Sequence, residues 1–333
     1  MIKLRVVMEL IFKKLSQLSA GLLFVILAAT TLVLYLSAKP AIETFGMGFL
    51  IESRWGVEEP LTPTGESLTA SDEPAVADST DADDDDDFID DEDDFIMDDE
   101  DASDDTTREV YGALVPIVGT IFSTLIAMLF SIPIAMGIAV FLAEIASSSI
   151  AKPVGVAIEL LASIPSIIYG MWGLFYFGPF IASIFGGNTV SLLVAGLVLA
   201  IMVIPFMAAL SRDAISTVPD MLKESAYAMG ATKLEVIKDV VFPYAKAGII
   251  GSIILSFGRA MGETMAVAFV IGGIYQFAGK VTDPTNSIPV VLANSFAESS
   301  GLSLSVLFYL ALVLFILSFI VIGVAKFYFL RRK

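Results

Sequence analysis

The sequence predicts an all-α integral membrane protein with six transmembrane helices and a long, disordered acidic loop on the external side. Three observations carry that expectation. The 333 residues are 56% hydrophobic, above the ~45–50% apolar share of soluble domains. Several apolar runs pass the ~18 residues that a membrane-crossing helix needs. Lys and Arg also fall mostly on one side of those runs, as the positive-inside rule requires.

Residues 1–38 read as a cytoplasmic N-terminus and a first span. Lys3, Arg5, Lys13 and Lys14 form a basic lead-in, and the apolar run at 18–37 follows. A secretory signal has a short apolar core before its cleavage site, whereas this run is long enough to cross, so it reads as a retained helix. Residues 39–109 then form an external loop. Between 58 and 105 it carries 23 acidic side chains and no basic one, with an imperfect repeat, DDFIDDE at 86–92 and DDFIMDDE at 93–100. So many carboxylates repel each other, and so few apolar groups cannot offset chain entropy, so this stretch is expected to be disordered, either a tether or an interaction tail for a cation-rich partner.

From 110 to 333 the chain reads as a core of five further spans, at 112–145, 154–182, 190–210, 247–277 and 303–327. An even number of spans returns the C-terminus to the cytoplasm, where Lys326, Arg331, Arg332 and Lys333 lie. With this topology 14 basic residues are cytoplasmic and four external. The whole-chain charge of −18 belongs to the acidic loop, since removing its 23 carboxylates leaves +5. The chain has no Cys and no His, which excludes disulfides, thiol nucleophiles, Cys/His zinc sites and imidazole acid–base chemistry.

The cytoplasmic loop at 213–246 is a charged island between spans. Thr217 with Asp220, and Thr232 with Glu235, both fit a capping box. Gly230 lies between them, where a first helix needs a left-handed residue to stop. The stretch is expected to form helix, tight turn, helix outside the membrane, either as a plain connector or as a dock for a cytosolic partner.

Two constellations lie within spans. Arg259 and Glu263 stand four residues apart in GRAMGETMAV and are expected to share a helix face. They are either a structural ion pair or an oxyanion path, with Arg259 offering a planar, bidentate donor set and Glu263 tuning it. In ELLASIPSIIYG, Glu159 stands near the cytoplasmic start of the third span and Pro165 is expected to bend the helix. Ser163, Ser166 and Tyr169 offer hydroxyls there, for substrate or simply for their own backbone and close packing.

These residues carry a family resemblance. E-S-A-x-x-x-G (Glu224, Ser225, Ala226, Gly230), a nine-residue gap and V-V-F-P ending at Pro243 resemble the EAA loop of ATP-binding-cassette importer permeases. GRAMGETMAV and ELLASIPSIIYGMWGLFYF resemble, more specifically, the PstC-type permeases of phosphate-specific importers. The resemblance covers about 110–327; Ser225 departs from the usual Ala, and the acidic run matches nothing in the pattern. It implies a type I ABC importer permease arrangement in the cytoplasmic (inner) membrane, with both termini cytoplasmic. Its implied partners are a second homologous permease, an ATPase subunit dimer, a phosphate-binding protein and membrane lipid, with no nucleic acid. The chain has no GxxxxGK[ST] loop, so ATP and Mg are expected on the ATPase and no cofactor on this chain. It is then expected to be no enzyme itself. The other readings are a permease for sulfate or molybdate, and an ion-coupled secondary transporter with Glu144, Glu159 and Glu263 as a proton relay. A third is a membrane scaffold that senses substrate without moving it.

Overall fold

The computed structural model describes residues 2–60 and 107–331. The acidic run, expected to be disordered, lies outside the described residues from 61 to 106. Among the described residues the fold is all-α apart from one strand pair, and six helices are long and apolar enough to cross a membrane.

Helix α1 (Ile2–Phe45) is longer than the expected span and runs through Pro40. From residue 12 to 30 every side chain is exposed, and only towards its end, at Leu34, Ala38, Ala41, Ile42 and Phe45, does the helix pack against the rest. In water that surface would be an aggregation hazard, but in hydrocarbon apolar exposure has no such cost. Strands β1 (Trp55–Pro60) and β2 (Thr107–Tyr111) pair with each other, and the described residues 56–60 and 107–110 belong to a unit of their own. No strand was expected there; the flanks of the acidic run hold β-prone Trp55, Val57, Val110 and Tyr111.

Helix α2 (Leu114–Val140) ends in a widened π-turn, Phe141–Ile145. The expected third span is instead two helices. Helix α3 (Ser148–Ala162) stops at Ser163, and α4 (Ser166–Phe185) starts from Pro165 as its N-cap. Pro165 breaks the chain rather than bending a helix, because it lacks an N–H and forces the preceding residue out of helical space. Helix α5 (Leu192–Ser216) is the most enclosed of the six, apolar on every face because neighbours surround it.

Helix α6 (Asp220–Ala228) is short, and α7 (Lys233–Met261) runs unbroken through a π-turn at Val236–Val241. The second half of the expected hairpin is therefore the base of a spanning helix, not a separate helix outside the membrane. Two of the three π-turns, Gly173–Phe177 and Val236–Val241, stand just before prolines, Pro179 and Pro243. A widened turn moves aside the carbonyl that a proline ring would strike, so the helix continues.

The expected span at 247–277 is also corrected. Helix α7 ends at Met261, and residues 262–287 hold a short helix, α8 (Met265–Ala268), and a folded loop. That loop caps α5: Ser191, Leu192 and Leu193 donate their N–H groups to the carbonyls of Val270, Asp283 and Val281 at 2.9, 3.0 and 2.7 Å. The free amides of a buried helix start need such partners, and hydrocarbon offers none. Helix α9 (Ile288–Ser295) and the last span α10 (Gly301–Arg331) complete the chain. Phe49 stacks on Tyr309 at 4.6 Å and the Tyr309 hydroxyl donates to Gly46 O at 3.0 Å, which ties α10 to the end of α1.

Candidate functional site

Two groups of residues meet the description of a site: the α6–α7 hairpin and the region around Arg259.

The hairpin is built as half of the sequence pattern requires. The second capping box forms, with Thr232 N–H donating to Glu235 Oε2 at 2.7 Å and Glu235 N–H to Thr232 Oγ1 at 3.5 Å. The first does not. Thr217 closes α5, its hydroxyl donates to Ala214 O at 2.7 Å, and Pro219 is the residue that starts α6. A proline has no amide to cap and its fixed φ suits a helix entry, so it displaces the Thr217 pattern. Gly230 adopts φ +87° and stops α6, as expected.

Glu224, Ser225 and Gly230 are exposed on the hairpin, and Ala226 is buried beneath them. Met221, Met229 and Leu234 stand 76%, 85% and 74% exposed beside them, an apolar patch on the otherwise charged turn. Under it, Ala226, Val236 and Val241 share one apolar cluster with Ala139 of α2 and Ile215 of α5. Pro243 is exposed within α7, two residues past the π-turn. On the packed side, Lys223 Nζ donates to Glu144 Oε1 at 2.7 Å.

The second region departs from the sequence-based expectation. Arg259 and Glu263 do not share a helix face, because α7 ends between them at Met261. Glu263 turns instead to the next element, where its Oε1 accepts the Ala266 N–H at 3.2 Å and caps α8. Arg259 is exposed and forms no ion pair among the described residues. Its guanidinium lies 4.9 Å from the centre of the Phe206 ring, a cation–π contact. Phe206 is the fifteenth residue of the 25-residue α5, so the charge sits near the middle of a span.

Two of the three hydroxyl residues are committed to the α3–α4 break. Ser163 Oγ donates to Glu159 O at 2.9 Å, and Tyr169 OH donates to Leu161 O at 3.0 Å across Pro165. Ser166 opens α4, half-buried. Glu159 lies on α3, before the span rather than in it, and accepts from Arg212 Nη2 at 2.9 Å while Asp213 accepts from the same guanidinium at 2.8 Å. That ion pair fastens α3 to the end of α5. Arg212, Phe206 and Lys223 were not singled out from the sequence. Their partners are 53, 53 and 79 residues away along the chain, and no local pattern marks such pairs.

Helix α4 approaches α8 through Gly170, where a Cβ would lie 3.0 Å from both the Cα and the carbonyl oxygen of Ala266. Backbone cannot yield as a side chain does. Gly170→Val is therefore expected to destabilise the fold by about 1–3 kcal/mol, the range for overpacking. Thermal unfolding of the purified variant in detergent would show a lowered midpoint, and an unchanged midpoint would mean that α8 is free to move away.

Comparison with known proteins gives one family and a set of relatives. Residues 112–333 match the family described as binding-protein-dependent transport system inner membrane component. A "Phosphate transport system permease protein PstC" of Pasteurella multocida (strain Pm70) is 36% identical over 98% of this chain and 92% of its own length. The protein of the same name in Haemophilus influenzae (strain ATCC 51907 / DSM 11121 / KW20 / Rd) is 37% identical over 96% and 92%. That of Xylella fastidiosa (strain 9a5c) is 48% identical over 66% and 74%. Among solved structures, a chain of "Inward facing conformations of the MetNI methionine ABC transporter: CY5 native crystal form" aligns with a TM-score of 0.50 and 20% identity. It covers 63% of this chain and 88% of that one, and shows the ABC importer permease fold.

Proposed function

We propose that this chain, which belongs to the family of binding-protein-dependent transport system inner membrane components, is the permease subunit of an ATP-driven importer of inorganic phosphate. Relatives bearing the phosphate permease name align along nearly its whole length, and that supports the substrate. The geometry that carries the reading best is Arg259, exposed on a single chain yet placed at mid-span. A guanidinium facing lipid at that depth costs about 2.5–3.5 kcal/mol on insertion scales. It therefore faces a second chain or an aqueous path. A homologous permease beside this one would supply both, with phosphate passing between the two.

The hairpin is the receiving end. With both termini in the cytoplasm, α6 and the turn at Gly230 face the cytoplasm, where the Met221, Met229 and Leu234 patch and Glu224 meet the ATPase subunit. ATP and Mg are held there, on the ATPase dimer, and this chain binds no cofactor and hydrolyses nothing. A phosphate-binding protein delivers substrate from the far side of the inner membrane. A proton-relay transporter is less well supported, because Glu144, Glu159 and Glu263 each accept from a different group on a different element.

Reconstitution decides it. Vesicles holding this permease with its partner permease, ATPase and binding protein are expected to take up radiolabelled phosphate only with ATP, and to lose that uptake with vanadate. Excess sulfate or molybdate is expected not to compete. Uptake driven by an ion gradient without ATP would overturn the proposal, and competition by sulfate would redirect it to another oxyanion.

A further inference from the structure

Lys223 and Glu144 form an ion pair that neither the motif nor the substrate path needs. Lys223 is the fourth residue of α6, on the side turned away from the exposed Glu224 and Ser225. Glu144 lies in the π-turn that ends α2. Their atoms are 2.7 Å apart, with side chains 16% and 8% exposed. Asp220, the other carboxylate near Lys223, is 3.6 Å away and 87% exposed, so water screens it.

Three features make this more than one more polar contact. The first is its place, since it joins the hairpin to a long span. Helix α2 packs along much of α5, with Ala127, Met128 and Ala135 set against Val194, Val198, Leu199 and Met202 in one core. The second is its construction. In the widened turn Ala146 N–H donates to Phe141 O, one residue further back than in an α-helix, and a π-turn re-aims the side chains it carries. The third is its chemistry. The apolar cluster around Ala226, Val236, Ala139 and Ile215 holds the hairpin against the spans without direction, and such a contact allows sliding. An ion pair shielded from water is strong only at one distance and angle, and leaving either charge alone there is costly.

We propose that Lys223 and Glu144 act as a strut. They are positioning residues that lock α6 to the end of α2, so that movement of the hairpin is delivered to the α2–α5 pair. This rests on the importer reading and names the route by which its driving force reaches the spans. Without the strut, the hairpin still docks and the ATPase still turns over, but α6 slips over the apolar cluster and less of the motion arrives.

The test is the ratio of phosphate transported to ATP hydrolysed, measured on the complete complex in vesicles with inorganic phosphate as substrate. Lys223→Met and Glu144→Gln are each expected to lower that ratio on the order of tenfold, the scale of one linkage between coupled sites, while ATPase activity per assembled complex persists. The charge exchange Lys223→Glu with Glu144→Lys is expected to restore most of it. The apolar pair Lys223→Met with Glu144→Met, which keeps volume and burial, is expected to stay low. A merely structural pair would lower the yield of complex and leave the ratio of the surviving complexes untouched, and that result overturns the strut. So does full coupling in the apolar pair, or no rescue by exchange. If the unaltered complex moves no phosphate with ATP, the importer reading fails and the strut with it. If it transports normally and the variants keep its ratio, only the strut fails.

Discussion

Arg259→Gln is expected to cut phosphate uptake by about 30- to 100-fold while the complex still assembles, a loss of about 2–3 kcal/mol from one charge-assisted contact with the substrate. Gln keeps a comparable length and a donor group but has no charge. In this structure the guanidinium rests on the face of Phe206 rather than on a carboxylate, so among the described residues no charge is left unpaired when it goes. That is why assembly should survive, and why a drop in uptake would report on the substrate rather than on the fold. Lys at the same position is expected to restore only part of the rate, since an ammonium is a point charge without the planar fork that matches two phosphate oxygens. Initial rates in vesicles, normalised to assembled complex, would check both substitutions. Normal transport by the Gln variant would leave Arg259 with a structural role alone.

The second large effect is expected at the turn of the hairpin. Gly230 holds φ +87°, and a Cβ added there would meet nothing within 4 Å. The penalty of a substitution is thus purely conformational. A β-branched side chain resists that region, at a cost of roughly 1–2 kcal/mol per residue, whereas Asn tolerates it. Gly230→Val is expected to uncouple the complex, with ATP hydrolysis continuing and phosphate moved per ATP falling several-fold, because α6 no longer ends where its docking surface requires. Gly230→Asn, with a side chain of similar bulk in the same open space, is expected to behave almost like the unaltered protein. Equal loss in both would point to crowding against the docked partner instead of the turn, and equal coupling in both would mean that the geometry of the turn does not govern coupling.

Much of the architecture was legible without coordinates. Hydropathy located six spans, and in hydrocarbon a long apolar helix has few alternatives. Thr232, Glu235 and Gly230 announced a helix start and a helix stop because capping and left-handed backbone are properties of a few consecutive residues. Where the expectation differed, a proline or a helix end had overridden a spacing rule. Pro165 was expected to bend one helix, yet Tyr169 and Leu161 close a break between two. Thr217 and Asp220 fit a capping box, yet Pro219 took the start of α6. The spacing of Arg259 and Glu263 pointed to a shared helix face, but a spacing rule holds only inside a helix, and α7 ends between them.

The sequence on its own determined that the chain lives in a bilayer and that Gly230 and the Thr232–Glu235 box mark a charged cytoplasmic turn, each from the chemistry of neighbouring residues. Its motifs added a resemblance to importer permeases. Only the tertiary structure decided that Arg259 stands apart from Glu263 over Phe206, that Glu159 serves Arg212, and that Lys223 reaches Glu144. Those partners lie far apart along the chain. What joins them is the packing of helices whose apolar faces many other sequences would share, so the pairing becomes visible only once the helices have met.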